Sequence, residues 1–233
     1  MIQAALLVFL IFVFPVWDVR ETRRLKAATD PRARVRSYQQ GIAWQLIAVA
    51  LLLATVPAAR LFTPPWGLER LGVESPSRGL LFGVLAGLAG GIVLPLALAL
   101  RGPEERRKQA ARLESVWFIL PRTREARLWW AALSVTVGIC EEIVYRGWMI
   151  PYLEGIAPWL GPLGAVLAGA AVFGIDHGYQ GWTGVVGTAV LALVFTVLYL
   201  LSGTLWIPIV VHVLVDLRVL LLLGPDHEPR APA

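Results

Sequence analysis

The chain has 233 residues, 57% of them hydrophobic and only 16% Asp, Glu, Lys or Arg, with a mean hydropathy of +0.67. Soluble domains carry roughly 25% charged residues. This composition therefore excludes a water-soluble enzyme, a secreted disulfide scaffold and a disordered tail, and places the chain among polytopic membrane proteins. The formal charge of +5 does not point to nucleic acid, because the bases sit in gaps between apolar runs, where topology and anionic headgroups account for them. The lone cysteine, Cys140, forms no internal disulfide and excludes paired-thiol redox centres and cysteine-rich zinc modules.

The first apolar run, 2–17, has no basic residue before it and no Ala-x-Ala cleavage site, so it reads as a retained span rather than a signal peptide. Further runs follow at 41–59, 79–100, 128–152, 160–177, 184–201 and 205–223. They are too long and too continuously apolar for barrel strands, and lipid leaves no backbone polar group unpaired. The fold class is all-α: a polytopic membrane bundle of about seven to eight transmembrane helices, with seven runs in hand.

Segment 18–40 holds seven Lys or Arg and segment 101–127 holds eight, together 15 of the 21 bases. The positive-inside rule puts both in the cytoplasm, which gives an external N-terminus and, after seven spans, a cytoplasmic C-terminus. The intervening 60–78 segment is nearly balanced and contains proline, as suits the opposite side. Within the second basic segment, Leu113, Val116 and Trp117 recur at helical spacing, as in a helix lying on the membrane surface, with a plain solvated connector as the equal alternative. The 10 Trp residues read as interface anchors and packing.

The informative residues are the ionisable ones inside apolar runs, each costing about 2.5–3.5 kcal/mol at the centre of a helix. They are Glu141, Glu142 and Arg146 on the fourth run, Asp176 and His177 ending the fifth, and His212, Asp216 and Arg218 on the seventh. Glu142 and Arg146 are four residues apart and can neutralise each other on one face. Glu141 projects about 100° away around the helix with no charge partner at ideal spacing, which suits a general base once water or a cation reaches it. Phe173 and His177 are one turn apart, as are His212 and Asp216; in the second pair the carboxylate can orient the imidazole. Carboxylate and imidazole converging on one water is the inventory for hydrolysis, with or without a metal. Helix-to-helix hydrogen bonding is the structural alternative for each histidine.

The stretches EEIVYRG (141–147), FGIDH (173–177) and HVLVD (212–216) fit Glu-Glu-x-x-x-Arg, Phe-x-x-x-His and His-x-x-x-Asn/Asp. In that order, each on its own apolar run, they resemble the CPBP family of intramembrane proteases, which includes the type II CAAX prenyl endopeptidases and bacteriocin-processing or immunity proteins. The resemblance covers residues 128–223. It implies an intramembrane endopeptidase with a catalytic cavity inside the membrane, acting on a membrane-tethered, lipidated or CAAX-like peptide or protein. Glu141 and His177 would activate the attacking water, His212 and Asp216 would stabilise the oxyanion or contact that water, and Glu142, Arg146 and Phe173 would support the site. The family pattern often has Asn in the last place, and ionised Asp216 cannot donate to an oxyanion, so it must be protonated, orient His212 or help bind a metal. Zn²⁺ could be held by Glu141, His177, His212 and Asp216, or the glutamate could act without metal.

The organisation expected is residues 1–127 as N-terminal transmembrane helices with basic cytoplasmic loops, 128–223 as the catalytic transmembrane core, and 224–233, with its three prolines and His227, as a flexible tail. The partners expected are the lipid bilayer and a tethered substrate, with no nucleic acid, and the location is a bacterial or archaeal cytoplasmic membrane. One tension is built into the seven-span topology. Glu141 falls mid-membrane and His177 near the cytoplasmic end of its run, so either the fifth helix continues past Gly178, to about Trp182, or spans are tilted or displaced. The sequence lacks His-Glu-x-x-His, Gly-x-Gly-Asp and Gly-x-Ser-Gly, which removes other intramembrane protease classes. A buried Cys140 thiol is inert as a nucleophile. The competing functions are a proton-coupled transporter using the buried Glu, His and Asp cluster as a relay, and a scaffold that keeps the cluster for packing.

Overall fold

A computed structural model describes residues 1–30, 32–74 and 78–223; the expected tail and His227 lie outside them. Among the described residues the secondary structure is helical and no strand occurs. Six helices are long and apolar enough to cross a membrane. Helix α1 (Ile2–Ala27) opens into a wide π turn at Phe9–Val13, just before Pro15, whose missing N–H breaks the regular ladder. Segment 18–40 is therefore mostly not loop: α1 carries Arg20 to Lys26 on its last turns, and α2 (Ala33–Leu53) begins soon after.

Helix α2 holds the apolar run expected at 41–59, but it ends at Leu53 and its first half carries Arg34, Arg36, Gln39 and Gln40. It is not one of the six. Arg36, Gln39 and Gln40 are exposed, whereas Tyr38 is fully buried and donates its hydroxyl to the Ile119 carbonyl. A short helix at Ala58–Phe62 follows, then α3 (Arg78–Ala99) and the nine-residue α4 (Pro103–Ala111). Beyond α4, Leu113, Val116 and Trp117 pack on Leu120, Val219 and Leu223. These three apolar residues are thus taken up by the bundle rather than by lipid, so the segment is neither a free surface helix nor a solvated connector.

The central element is α5 (Arg124–Ile156). Thr123 caps its start by accepting from the Ala126 amide at 3.1 Å, and Glu125 sits in the first turn, where the helix dipole favours a carboxylate. From Glu142 to Met149 the helix widens into π geometry, a distortion frequent at functional sites. Helices α6 (Gly161–Ile175), α7 (Gly181–Ser202) and α8 (Trp206–Leu223) complete the bundle. The main core gathers on the widened stretch: Ile143, Val144, Trp148 and Met149 pack with Val166, Ala170, Phe173 and Ile209.

Two glycines set how closely these helices approach. A Cβ on Gly138 of α5 would lie 2.6 Å from Val213 Cγ2 on α8, and one on Gly174 of α6 would lie 2.6 Å from the Val185 carbonyl oxygen on α7. Small residues at such crossings let backbones come together in lipid, and both crossings flank the polar motifs.

Candidate active site

Glu142 is the centre of the buried polar group. It is fully buried, and its Oε1 accepts from Arg146 Nη1 at 3.0 Å and from His212 Nδ1 at 2.8 Å. The first bond is local, one turn along α5. The second joins α5 to α8 and depends on the Gly138–Val213 approach. A carboxylate accepts, so the Nδ1 of His212 carries a proton and its Nε2 faces the other way. There Glu141 Oε2 lies at 3.9 Å and Asp216 Oδ2 at 3.8 Å. Orientation of His212, assigned to Asp216 as one option from spacing alone, thus falls to Glu142, because 3.8 Å is beyond hydrogen-bond range.

Glu141 is buried, and its Oε1 accepts from Gln45 Nε2 at 3.0 Å. Its Oε2 is buried without a hydrogen-bond partner. Gln45 sits on α2 and was given no role by the motifs; an amide inside the 41–59 apolar run was the signal that could have found it. Asp216 is the most accessible of the three, its side chain 31% accessible against 11% for Glu141 and 7% for His212.

His177 reaches the group by another route. Helix α6 ends at Ile175 rather than continuing towards Trp182; His177 has φ −102° and ψ 21°, and a short turn at Gly178–Gln180 leads into α7 at Gly181, whose φ is +79°. Only glycine adopts that φ without strain, which lets the chain turn from the end of α6 into α7. His177 Nδ1 lies 2.7 Å from the Phe173 carbonyl oxygen. Since a carbonyl only accepts, Nδ1 donates, and in the neutral ring Nε2 holds the lone pair.

Phe173 is the apolar hub that joins these groups. Its ring lies 4.5 Å from the His177 ring, 6.4 Å from that of His212 and 4.8 Å, edge-on, from that of Tyr145. The Arg146 guanidinium stands 4.6 Å over the same ring, a cation–π contact strengthened by desolvation. Phe195 of α7 closes the other side, 5.3 Å from His212 and 5.5 Å from the guanidinium. Neither Phe195 nor Tyr145, whose hydroxyl donates to Asp176, was singled out from sequence, because aromatic residues in apolar runs carry no distinguishing pattern.

Among the described residues no group of three or more His, Cys, Asp or Glu is placed to hold a metal ion. His212 Nε2 and Glu141 Oε2, left free by the Glu142 and Gln45 bonds, stand 3.9 Å apart, and Asp216 Oδ2 lies 3.8 Å from the same nitrogen. Cys140 is buried and free.

Residues 123–218 match the family described as type II CAAX prenyl endopeptidase Rce1-like. No curated protein and no solved structure matches the chain. The matched segment runs from the cap of α5 to two residues beyond Asp216, and so contains all three motifs while leaving Gln45 outside. With six helices among the described residues able to cross a membrane, the chain has the features of an integral membrane protein. Its similarity to the Rce1-like type II CAAX prenyl endopeptidase family is carried by the 123–218 segment.

Proposed function

We propose that the protein is an intramembrane endopeptidase that hydrolyses a peptide bond in a membrane-tethered, lipidated or CAAX-like substrate, using water activated by Glu141. The observation that carries this reading is one buried, unpartnered oxygen, Glu141 Oε2, set 3.9 Å from His212 Nε2, with Asp216 Oδ2 3.8 Å from the same nitrogen. These gaps are too long for direct hydrogen bonds and fit a water shared between the groups.

Each side chain then has one task. Gln45 holds Oε1 of Glu141, leaving Oε2 to take the proton of the water as its oxygen adds to the scissile carbonyl carbon. His177 offers its Nε2 lone pair to the same water. His212, oriented through Nδ1 by Glu142, donates from Nε2 in its doubly protonated form to the developing oxyanion. Glu141 returns the proton to the amine as the carbon–nitrogen bond breaks. Arg146 holds Glu142 in place, and Asp216, on the accessible side, accepts a hydrogen bond from water. No step passes through a metal. The orientation that accompanies this reading keeps both basic segments in the cytoplasm, with α2 crossing as a seventh span bonded to α5 through Gln45.

The test is cleavage of a library of membrane-tethered peptides by purified protein in lipid nanodiscs. Glu141→Gln is expected to lower kcat by about 10²- to 10⁴-fold with thermal unfolding unchanged, and chelator to leave wild-type activity intact. An active Glu141→Gln variant would remove Glu141 as the base. Activity lost to chelator and restored by Zn²⁺ would transfer water activation to a metal. Proton-coupled flux without cleavage would replace the protease with a transporter.

A further inference from the structure

We propose that Tyr145 and Asp176 form a positioning pair that registers the His177 turn against Glu141; its catalytic consequence rests on the protease reading above. His177 lies beyond the end of α6 in non-helical backbone, so no helical ladder fixes its position relative to α5. The residue just before it, Asp176, is only 4% exposed, and its Oδ2 accepts from the Tyr145 hydroxyl. Tyr145 follows Glu141 by four residues, one turn along α5, and its ring meets Phe173 edge-on. The Phe173 carbonyl in turn accepts a hydrogen bond from His177 Nδ1. The helix of the proposed base and the turn of the histidine are therefore joined by one polar and one aromatic contact, both buried.

Packing alone does not require the polar contact. A phenylalanine at position 145 would fill the same space against Phe173, and a turn residue with no charge would avoid the desolvation cost of a buried carboxyl group. Asp176 Oδ1 is buried without a hydrogen-bond partner, so the carboxyl group is tied down on one oxygen, by Tyr145. Such a tie specifies where the turn sits more than it adds to stability, and a displacement near 1 Å at a reacting group can cost about 100-fold in rate.

The experiment compares Tyr145→Phe, Asp176→Ala, Asp176→Asn and the double variant Tyr145→Phe/Asp176→Ala as full-length protein in nanodiscs. Two readouts are taken: kcat and KM on a cleaved peptide, and carbethoxylation rates of His177 and His212 by mass spectrometry, which need no substrate. Tyr145→Phe and Asp176→Ala are each expected to lower kcat about 10- to 100-fold, with KM within about 2-fold. The double variant is expected to be no worse than the poorer single, as for one shared interaction. Asp176→Asn keeps a carbonyl that accepts from the phenol and is expected to stay within about 3-fold of wild type. Carbethoxylation of His177 should change at least about 3-fold in Tyr145→Phe while that of His212 holds. Single losses that multiply in the double variant, or an unchanged His177 rate, would overturn the pair. If wild type cleaves nothing, the protease reading falls separately, and the carbethoxylation rates alone decide whether Tyr145 and Asp176 set the turn.

Discussion

Helix α3 and the widened stretch of α5 both come from apolar-run sequence, yet they face opposite surroundings. In α3 the only buried residue is Ala99, and Phe82, Val93 and Leu94 are more than half exposed. From Glu141 to Ile150 every residue of α5 is buried, two glutamates and an arginine among them. A lipid-facing helix needs only apolar side chains and a self-satisfied backbone, and it tolerates Pro95 within its length. A stretch that holds charge inside the bundle needs partners from several helices. Those partners here are Gln45 of α2, His212 of α8 and Phe173 of α6. The difference shows where specification is concentrated: the first region is fixed by composition, the second by contacts.

Substitutions in the two regions should therefore behave differently, and the largest effect is expected at Arg146. Arg146→Met leaves the fully buried Glu142 with His212 alone, and removing one partner of a buried pair costs about 3–5 kcal/mol. Thermal unfolding in detergent should drop by many degrees; a transition within a degree or two of wild type would mean that α5 does not rely on the pair. A smaller loss is expected at Gln45, whose bond to Glu141 is worth about 1 kcal/mol. Gln45→Leu should lower kcat about 5-fold with little change in unfolding temperature, and an unaltered kcat would separate α2 from the site. The smallest effect is expected on α3. Leu94→Ala exchanges one lipid contact for another and should shift stability by less than about 0.5 kcal/mol; a large shift in the same unfolding assay would show that this face is covered in the membrane, and would erase the contrast.

Much of the candidate site was legible because membranes punish charge. Glu141, Glu142, Arg146, His177, His212 and Asp216 stand out by being ionisable within apolar runs, and the Glu142–Arg146 pair follows from four-residue spacing on one helix. The spacing argument was less informative for His212 and Asp216: one turn of helix brings them to 3.8 Å, whereas Glu142 from α5 takes the hydrogen bond at 2.8 Å. It was silent on Gln45, which lies 96 residues from Glu141 in sequence, and on Tyr145 and Asp176, separated by 31 residues. Helix boundaries drifted for local reasons, as with the end of α6 before Gly178 and Gly181, and with α2, whose apolar run is shorter than its helix.

The sequence by itself determined that this chain is an all-α membrane protein and which ionisable residues it carries into the bilayer, because apolar run length and the cost of buried charge act on each segment separately. The tertiary structure decided which groups meet: Gln45 with Glu141, Glu142 with His212, Tyr145 with Asp176. Those meetings depend on how closely α5, α6, α7 and α8 approach at Gly138 and Gly174 and on where α6 stops. Such approaches are properties of paired surfaces, and no single segment contains them.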